Sequence, residues 1–457
     1  MLLSHALRLP LDPAAPDVVA FVGGGGKSTT LFRLAAEIVR AGRRVVTTTT
    51  TRIFSGQIAL APAHLRATGL NIDWRALEQA LDDHSHYLLI SETGSHKASG
   101  VDPHLVDALA RRSADLDLAA VLVEADGSAQ RPVKAPASHE PVIPDATTLL
   151  VPVLGLDAIG LPLDDPFVHR PVHLRRLLGV ADPVTRFTPQ MAVRLLLHPQ
   201  GGQQGRPPSA RLLPLLNKAE NPLRRVVGRL VAHGLAAASQ PSLLGSVGAS
   251  GGEPVQERWG PTAAVVLAAG ASRRMGAPKQ LLAIDGETLA VRAARLALDS
   301  GASQTWVVTG AYRDGVEAAL ASLQAQAGNR LHLVHNPAWE TGQASSIHAA
   351  LRTLPADCQA ALFLPVDQPR LPAALLRRLG QCWRTGSDRV ATLVDGEVRG
   401  APAVFDRGQF PALLAVRGDQ GARPLLKADR AAVTTVPAPA FSLDDVDTPE
   451  DWRRFVP

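Results

Sequence analysis

Lysine is scarce in this chain: Lys27, Lys97, Lys134, Lys218, Lys279 and Lys427 are the only ones in an arginine- and alanine-rich sequence. Where arginine is the default cation, a retained lysine points to a need for a compact ammonium rather than a forked guanidinium. Four of the six, Lys27, Lys134, Lys218 and Lys279, fall in strings whose other residues could also do chemistry. The string LAAGASRRMGAPKQLL runs from Leu267 to Leu282. In it Gly270 lets backbone approach a triphosphate, and Ser272 offers a hydroxyl. Arg274 and Lys279 bring two cations to where β- and γ-phosphates would leave as the α-phosphate is attacked. Phosphoryl transfer is driven mainly by such positioning and charge neutralisation. The plainer alternative is a glycine turn carrying solvated basic residues.

Two carboxylate segments complete this group. FLPVDQP places Asp367 just after an apolar run, and DDVDTPED offers Asp445 and Asp447, two apart and on one side of an extended segment. A carboxylate at the carboxyl end of a parallel strand lies at the ligand edge of the sheet. There it could hold magnesium, which takes carboxylate and phosphate oxygens. A solvated acidic turn is the alternative for the second segment.

A second glycine-rich loop, GGGGKSTT, covers Gly23 to Thr30. It is not a GxxxxGK[ST] loop, because Phe21 stands six before Lys27. It fits the shorter form G-x-x-G-K-[ST]-T, with Gly23 and Gly26, and resembles the ATP loop of Mur-type ligases. Its amides could cradle phosphate, Lys27 could reach the β/γ oxygens, and Ser28 or Thr29 could ligate Mg²⁺. Glu124 and Asp126 end an apolar run and could hold magnesium or orient water. Asn217-Lys218-Ala219-Glu220 is similar to the NKxD base-reading motif of GTPases, with Glu in place of Asp, and coincidence is the alternative. Thr47 to Thr51 and Arg52 could contact phosphate or metal, or simply form a polar strand end. His139, His169 and His173 have no spacing that enforces a metal site.

The elements that must carry these groups read as α/β. Short apolar, β-branched runs at Val18–Val22 and Ala263–Leu267 each lead into a glycine-rich turn and then a helical pattern, placing phosphate at a helix N-terminus. Further strand candidates are Arg44–Thr48, Ala119–Glu124, Leu149–Leu154, Trp306–Thr309, Leu331–Val334 and Ala361–Val366. Helical patterns at Leu31–Arg40, Leu65–Leu81, Leu289–Leu298 and Pro372–Leu379 alternate with them, the rhythm of mainly parallel sheets. The stretch 248–261, rich in Gly and Pro, reads as a linker between a first domain, 1–247, and a second, 262–457. His198–Ser209 reads as a surface loop of the first.

With 457 residues, two or three domains are expected. The formal charge of +5 is spread as single arginines or pairs, without a basic tail or interleaved aromatics, so nucleic acid is not the expected partner. No apolar run reaches the roughly 18 residues of a membrane span, and the first ten residues lack the pattern of a secretory signal. Cys358 and Cys382 have no metal-type spacing. A cytoplasmic protein is the expectation.

Taken in order, the second-domain strings resemble the molybdenum cofactor cytidylyltransferase family, the MocA-like branch of the MobA-related nucleotidyltransferases. Besides LAAGxSxRMGxxKxLL they are NPxW (Asn336–Trp339), GQASS (Gly342–Ser346), DQP (Asp367–Pro369), RGAPAVF (Arg399–Phe405), GDQGAR (Gly418–Arg423) and DVDTPED (Asp445–Asp451). The resemblance implies a Rossmann-like fold in which Leu267, Ala269, Gly270, Ser272, Arg274 and Lys279 bind CTP. Asp367, with Asp447 or Asp445, would bind Mg²⁺. Asn336, Gln343, Ser345, Ser346, Asp419 and Arg423 would line the pterin side, although many members carry GMGSS-like strings where GQASS stands. Ala269 and Gln368 favour cytidine over guanine. The implied product is molybdopterin cytosine dinucleotide, formed from CTP and the terminal phosphate of the molybdenum cofactor.

The first domain resembles the YqeC-like family, associated with maturation of selenium-dependent molybdenum hydroxylases. The resemblance rests on GGGGKST, TTTTR, EADGSAQRPVKAPASHEPVIP (Glu124–Pro144), GLDAIGLPL (Gly155–Leu163) and His169-Arg170. It implies a P-loop-type α/β domain using ATP or GTP, with an apo-molybdenum hydroxylase as possible partner. Two other readings stay open: nucleotidyl transfer with GTP or to another phosphorylated acceptor, and a cofactor-carrying chaperone without turnover.

Overall fold

The computed structural model describes residues 1–92, 94, 96–249, 252–396, 398–428 and 433–455. The chain divides into two compact units, Met1–Trp259 and Gly260–Pro457.

The first unit is built on a sheet whose strands are β1 (Asp17–Gly24), β2 (Arg44–Thr49), β3 (His64–Arg66), β4 (His86–Ile90), β5 (Leu118–Glu124), β6 (Leu149–Gly155), β7 (Leu215–Asn217), β8 (Ser242–Gly245) and β9 (Val255–Trp259). Their spatial order is β9-β8-β7-β6-β1-β5-β2-β4-β3, with a short strand at Arg211–Leu212 beside β6. All pairs are parallel except β8–β9. Being buried on both faces, β1, β5 and β6 run as unbroken apolar stretches. Helices α1 (Lys27–Arg40) and α2 (Pro222–Ala237) each bury one stripe of side chains, such as Leu31, Leu34 and Ile38 of α1.

Two sequence expectations are corrected here. The pattern Leu65–Leu81 is not one helix: His64–Arg66 is strand β3, and the helix runs only from Trp74 to His84. Its start is fixed by Asp73, whose side chain accepts from the amides of Arg75 and Ala76. The expected linker is not free chain, because Val255–Trp259 closes the sheet edge. Arg33 of α1 donates to the carbonyls of Val247 (2.9 Å), Ala249 (3.3 Å) and Gly252 (2.7 Å), satisfying backbone that has no ladder. The stretch His198–Ser209 is a surface loop as expected, anchored where Gly201 is buried and Gln204 Nε2 donates to the carbonyls of Ala137 (2.7 Å) and Glu140 (2.5 Å).

The second unit has strands β10 (Thr262–Leu267), β11 (Gln304–Thr309), β12 (Leu331–His335), β13 (Ala360–Pro365), β14 (Val390–Asp395), β15 (Val398–Asp406) and β16 (Val433–Pro437), ordered β12-β11-β10-β13-β15-β14-β16. Strand β15 is antiparallel to both neighbours and the remaining pairs are parallel. Helices α3 (Leu289–Leu298), α4 (Arg313–Ala327), α5 (Gln343–Thr353) and α6 (Ala373–Thr385) accompany it, and residues such as Val266, Leu364, Leu376 and Ala294 form one of its cores. Among the described residues no helix is long and apolar enough to cross a membrane.

Candidate functional site

In the second unit β10 and β13 are adjacent and parallel, from Thr262 opposite Ala360 to Leu267 opposite Pro365. The glycine loop and Asp367 therefore leave the same sheet edge side by side, at the place where open α/β sheets bind ligands. A third segment reaches them: the amide of Val446 donates to the Asp367 carbonyl at 2.9 Å, setting Asp447 beside the loop. Its turn is held by Asp451, which accepts from the Thr448 amide at 3.0 Å.

The charged groups form an alternating chain. Arg274 pairs with Asp447 Oδ2 at 2.8 Å, and Lys279 Nζ lies 3.1 Å from Asp447 Oδ1 and in direct contact with Asp367 Oδ2. Burial pulls the Lys279 ammonium down, but Asp367 and then Asp447 outweigh it and hold it above the ordinary lysine range. Arg274 stays largely exposed, its side chain at 72%. The chain borders an open cleft lined also by Leu267, Ala269, Gly270, Ser272, Trp339, Gln343, Ser346 and Asp419.

Asp367 and Asp447 suit a hard divalent cation. Two carboxylates converge on one positive group, and Asp367 Oδ1 is buried without a hydrogen-bond partner. Asp445 stands differently. Its Oδ1 accepts from Gln368 Nε2 at 3.1 Å, and burial, with Asp367 nearby, pushes its carboxyl up to about 6.

Of the residues expected on the acceptor side, Gln343, Ser346 and Asp419 line the cleft, and the Gln343 amide donates to Asp419 Oδ1 at 3.3 Å. Asn336 does not face it. At 2% exposed, it spends its carboxamide on Ser345 Oγ (2.8 Å), Ser346 Oγ (3.0 Å) and the Ala338 amide (3.0 Å), fixing the turn from beneath. Arg423 is exposed at the start of a short helix and does not line the cleft.

Sequence reading missed Gln280. It is wholly buried, donates to the carbonyls of Ala268 (3.0 Å) and Gly270 (2.6 Å), and accepts from Ser272 Oγ (3.2 Å). Tyr312 was missed too; its hydroxyl donates to the Ala271 carbonyl at 3.0 Å. The adjacency of Gln280 to Lys279 was the only signal available.

In the first unit Gly23, Gly25 and Gly26 take φ values of 91°, 97° and 118°, so the turn into α1 needs residues without Cβ. Lys27 is 4% exposed, donates to the Gly23 carbonyl at 2.7 Å, and sits 3.1 Å from Asp126 Oδ1 and 3.7 Å from Glu124 Oε1. Burial would lower the Lys27 ammonium, but Asp126 and Glu124 hold it raised. Ser28 Oγ donates to Glu124 Oε2 at 2.6 Å. Asp126 also meets Lys134 at 3.0 Å, and Lys134 continues to Glu140 at 2.9 Å and on to Arg170.

The NKxD-like string proves to be part of the loop's support. Asn217 Nδ2 donates to the Gly25 carbonyl at 2.9 Å, and Lys218 pairs with Asp157 at 2.6 Å. The threonine run is a polar strand end. Thr47 Oγ1 meets His86 Nε2 at 3.0 Å, while Thr48, Thr49 and Thr50 donate to the carbonyls of Leu89, Glu124 and Val142. His139, His169 and His173 form no metal-sized cluster among the described residues.

The sheet, glycine loop and paired carboxylates of the second unit define a nucleotidyltransferase, and the chain is an enzyme of that class. Residues 264–433 match the MobA-like NTP transferase domain and residues 19–172 match the YqeC protein family. The chain belongs to the YqeC family and carries a MobA-like NTP transferase domain fused after it. It is 30% identical over 203 residues to the uncharacterized protein YqeC of Escherichia coli (strain K12), covering 44% of this chain and 76% of that one. It is 30% identical over 194 residues to the purine catabolism protein PucB of Bacillus subtilis (strain 168), covering 41% and 92%. Among solved structures, Rv0371c from Mycobacterium tuberculosis H37Rv is similar at 28% identity and a TM-score of 0.37, covering 42% of this chain and 96% of that one.

Proposed function

We propose that the second unit transfers CMP from CTP to the terminal phosphate of the molybdenum cofactor, giving molybdopterin cytosine dinucleotide and pyrophosphate. The observation that carries this reading is the chain Arg274–Asp447–Lys279–Asp367 along one wall of the cleft. An acceptor phosphate oxygen would attack the α-phosphorus as its bond to the bridging oxygen of pyrophosphate breaks. Lys279 and Arg274 would balance the charge gathering on the leaving group, and Gln343, Ser346 and Asp419 would orient the acceptor. Mg²⁺, held by Asp367 and Asp447, would add charge neutralisation at the phosphates. The cytidine and molybdopterin parts rest on the resemblance of the LAAGxS, DQP, GDQGAR and DVDTPED strings. The first unit would bind ATP or GTP at Gly23–Thr29, with Lys27 on phosphate and Ser28 beside the metal, and support cofactor insertion into an apo-hydroxylase.

The test is pyrophosphate release by the purified protein with Mg²⁺ and molybdenum cofactor, comparing CTP, GTP, ATP and UTP. Release with CTP alone is expected. Preference for GTP would move the enzyme to guanylyl transfer, and no release with any of the four, with intact cofactor, would overturn the reading.

A further inference from the structure

We propose that Gln280 and Tyr312 are positioning residues that shape the glycine loop of the second unit into a triphosphate-binding nest, and so set its affinity for nucleotide. This rests on reading the cleft as a nucleotide site.

The argument is an accounting of backbone polar groups. Every buried or crowded carbonyl and amide needs a partner from the protein, from water or from a ligand. Five successive carbonyls of the loop are satisfied by the protein. Ala268 and Gly270 accept from Gln280 Nε2, Ala269 from the amide of Ala311 at 3.1 Å, Ala271 from the Tyr312 hydroxyl, and Ser272 from the amides of Met275 and Gly276. The amides of Ala269, Gly270, Ala271, Ser272, Arg273 and Arg274 find no acceptor among the described residues. All six residues line the cleft. Carbonyls turned inward and amides left free make a concave array of N–H dipoles, the arrangement that binds phosphate. Ser272, at a φ of 52°, supplies the left-handed step that such an array needs.

Gln280 is suited to this by being neutral and two-sided. Its two N–H donors close on two carbonyls that would otherwise repel phosphate, while its oxygen takes the Ser272 hydroxyl at 3.2 Å. The freed lone pairs of Ser272 Oγ then accept from the Lys279 amide at 3.2 Å, fixing the main chain that carries the catalytic lysine. Independently, the loop of the first unit is turned by the same kind of group. Buried Asn217 donates to the Gly25 carbonyl at 2.9 Å and accepts from the Val247 amide at 3.0 Å.

The test is isosteric. Gln280→Glu keeps the shape and the acceptor but removes both donors, and Tyr312→Phe removes one hydroxyl. CTP binding by calorimetry, KM and kcat, and the unfolding midpoint are measured for the full chain. Gln280→Glu is expected to weaken CTP binding and raise KM for CTP by about tenfold or more, with kcat changed far less. Tyr312→Phe is expected to shift both by roughly threefold. A purely structural role would lower the unfolding midpoint and leave KM for CTP unmoved; that result, for either folded variant, would overturn the proposal. Should Gln280→Glu fail to fold, Tyr312→Phe decides. If wild type binds none of the four nucleotides, the nucleotide reading itself falls. If wild type binds CTP and both variants match it, only the positioning role falls.

Discussion

The ammonium of Lys279 occupies the place between Asp367 and Asp447 where a divalent cation would sit. A cation entering without nucleotide must displace it, whereas nucleotide phosphates offer the lysine another anionic partner. Lys279→Met keeps the stem and removes the charge. Nucleotide-free Lys279→Met should therefore bind Mn²⁺ at least about tenfold more tightly than wild type, read by electron paramagnetic resonance titration. Equal affinities would show that the lysine does not hold that place. At the opposite extreme of visibility is Asp17, which opens β1 at 6% exposed, with burial pushing its carboxyl up to about 6 despite Arg211. Between 3.8, its unfolded value, and about 6 the folded state keeps a proton that the unfolded chain has lost. Stability from this group therefore falls as pH rises through that window. Asp17→Asn should gain on wild type by up to about 3 kcal/mol between pH ~4 and ~6 in denaturant unfolding. A flat difference would remove Asp17 as the cause. Lys27, Lys279, Asp367 and Asp447 were legible in sequence because charged groups in glycine- or proline-marked turns advertise chemistry. Gln280 and Tyr312 were not, and Asn217 stood out only as a base reader and not as the support of the loop, since a neutral side chain's role shows only once the carbonyls it turns are placed in space.

At the scale of elements, what could be read was the parallel frame. Apolar runs at Val18–Val22, Ala119–Glu124 and Ala263–Leu267 lie within β1, β5 and β10, and Ala361–Val366 matches β13 up to Pro365, because strands covered on both faces need no polar alternation. The antiparallel β14 and β15 were not foreseen: their runs are interrupted by charged and glycine residues around Asp395 and Gly400. Helix α5 shows why spacing alone misleads. Its N-cap, Gly342, has a φ of 109°, and a Cβ there would come within 2.7 Å of the Asp419 amide nitrogen. The GQASS turn and the GDQGAR turn thus touch through a residue without a side chain. Gly342→Ala should push the 418–420 turn away, weaken the bond from the Gln343 amide to Asp419 and cost about 1 kcal/mol or more in stability. On the proposed reading, KM for the acceptor should rise while CTP affinity stays near wild type. A rise confined to CTP would place these two turns on the nucleotide side instead.

At the scale of the whole molecule, the boundary between the units is where sequence and structure part most clearly. Low hydrophobic pattern and abundant glycine marked 248–261 as linker, but pattern cannot report that an edge strand is held by contacts from elsewhere. Val255 is fully buried, and Glu257, 3% exposed, takes Arg229 at 2.6 Å and the Trp259 indole at 2.9 Å. Ending the first unit at Val247 would strip β9 from β8, expose that edge, and leave Arg33 without the carbonyls of Ala249 and Gly252. Losing one buried side chain, one half-buried ion pair and a strand ladder amounts to several kcal/mol, roughly 3 or more. A fragment of residues 1–247 should therefore unfold at least about 5 °C below one of residues 1–259 in a thermal scan. Each unit buries its own cores, so the longer fragment should unfold in one cooperative step. Equal midpoints for the two fragments would mean that β9 adds nothing to the first unit, and the boundary would return to the glycine-rich stretch.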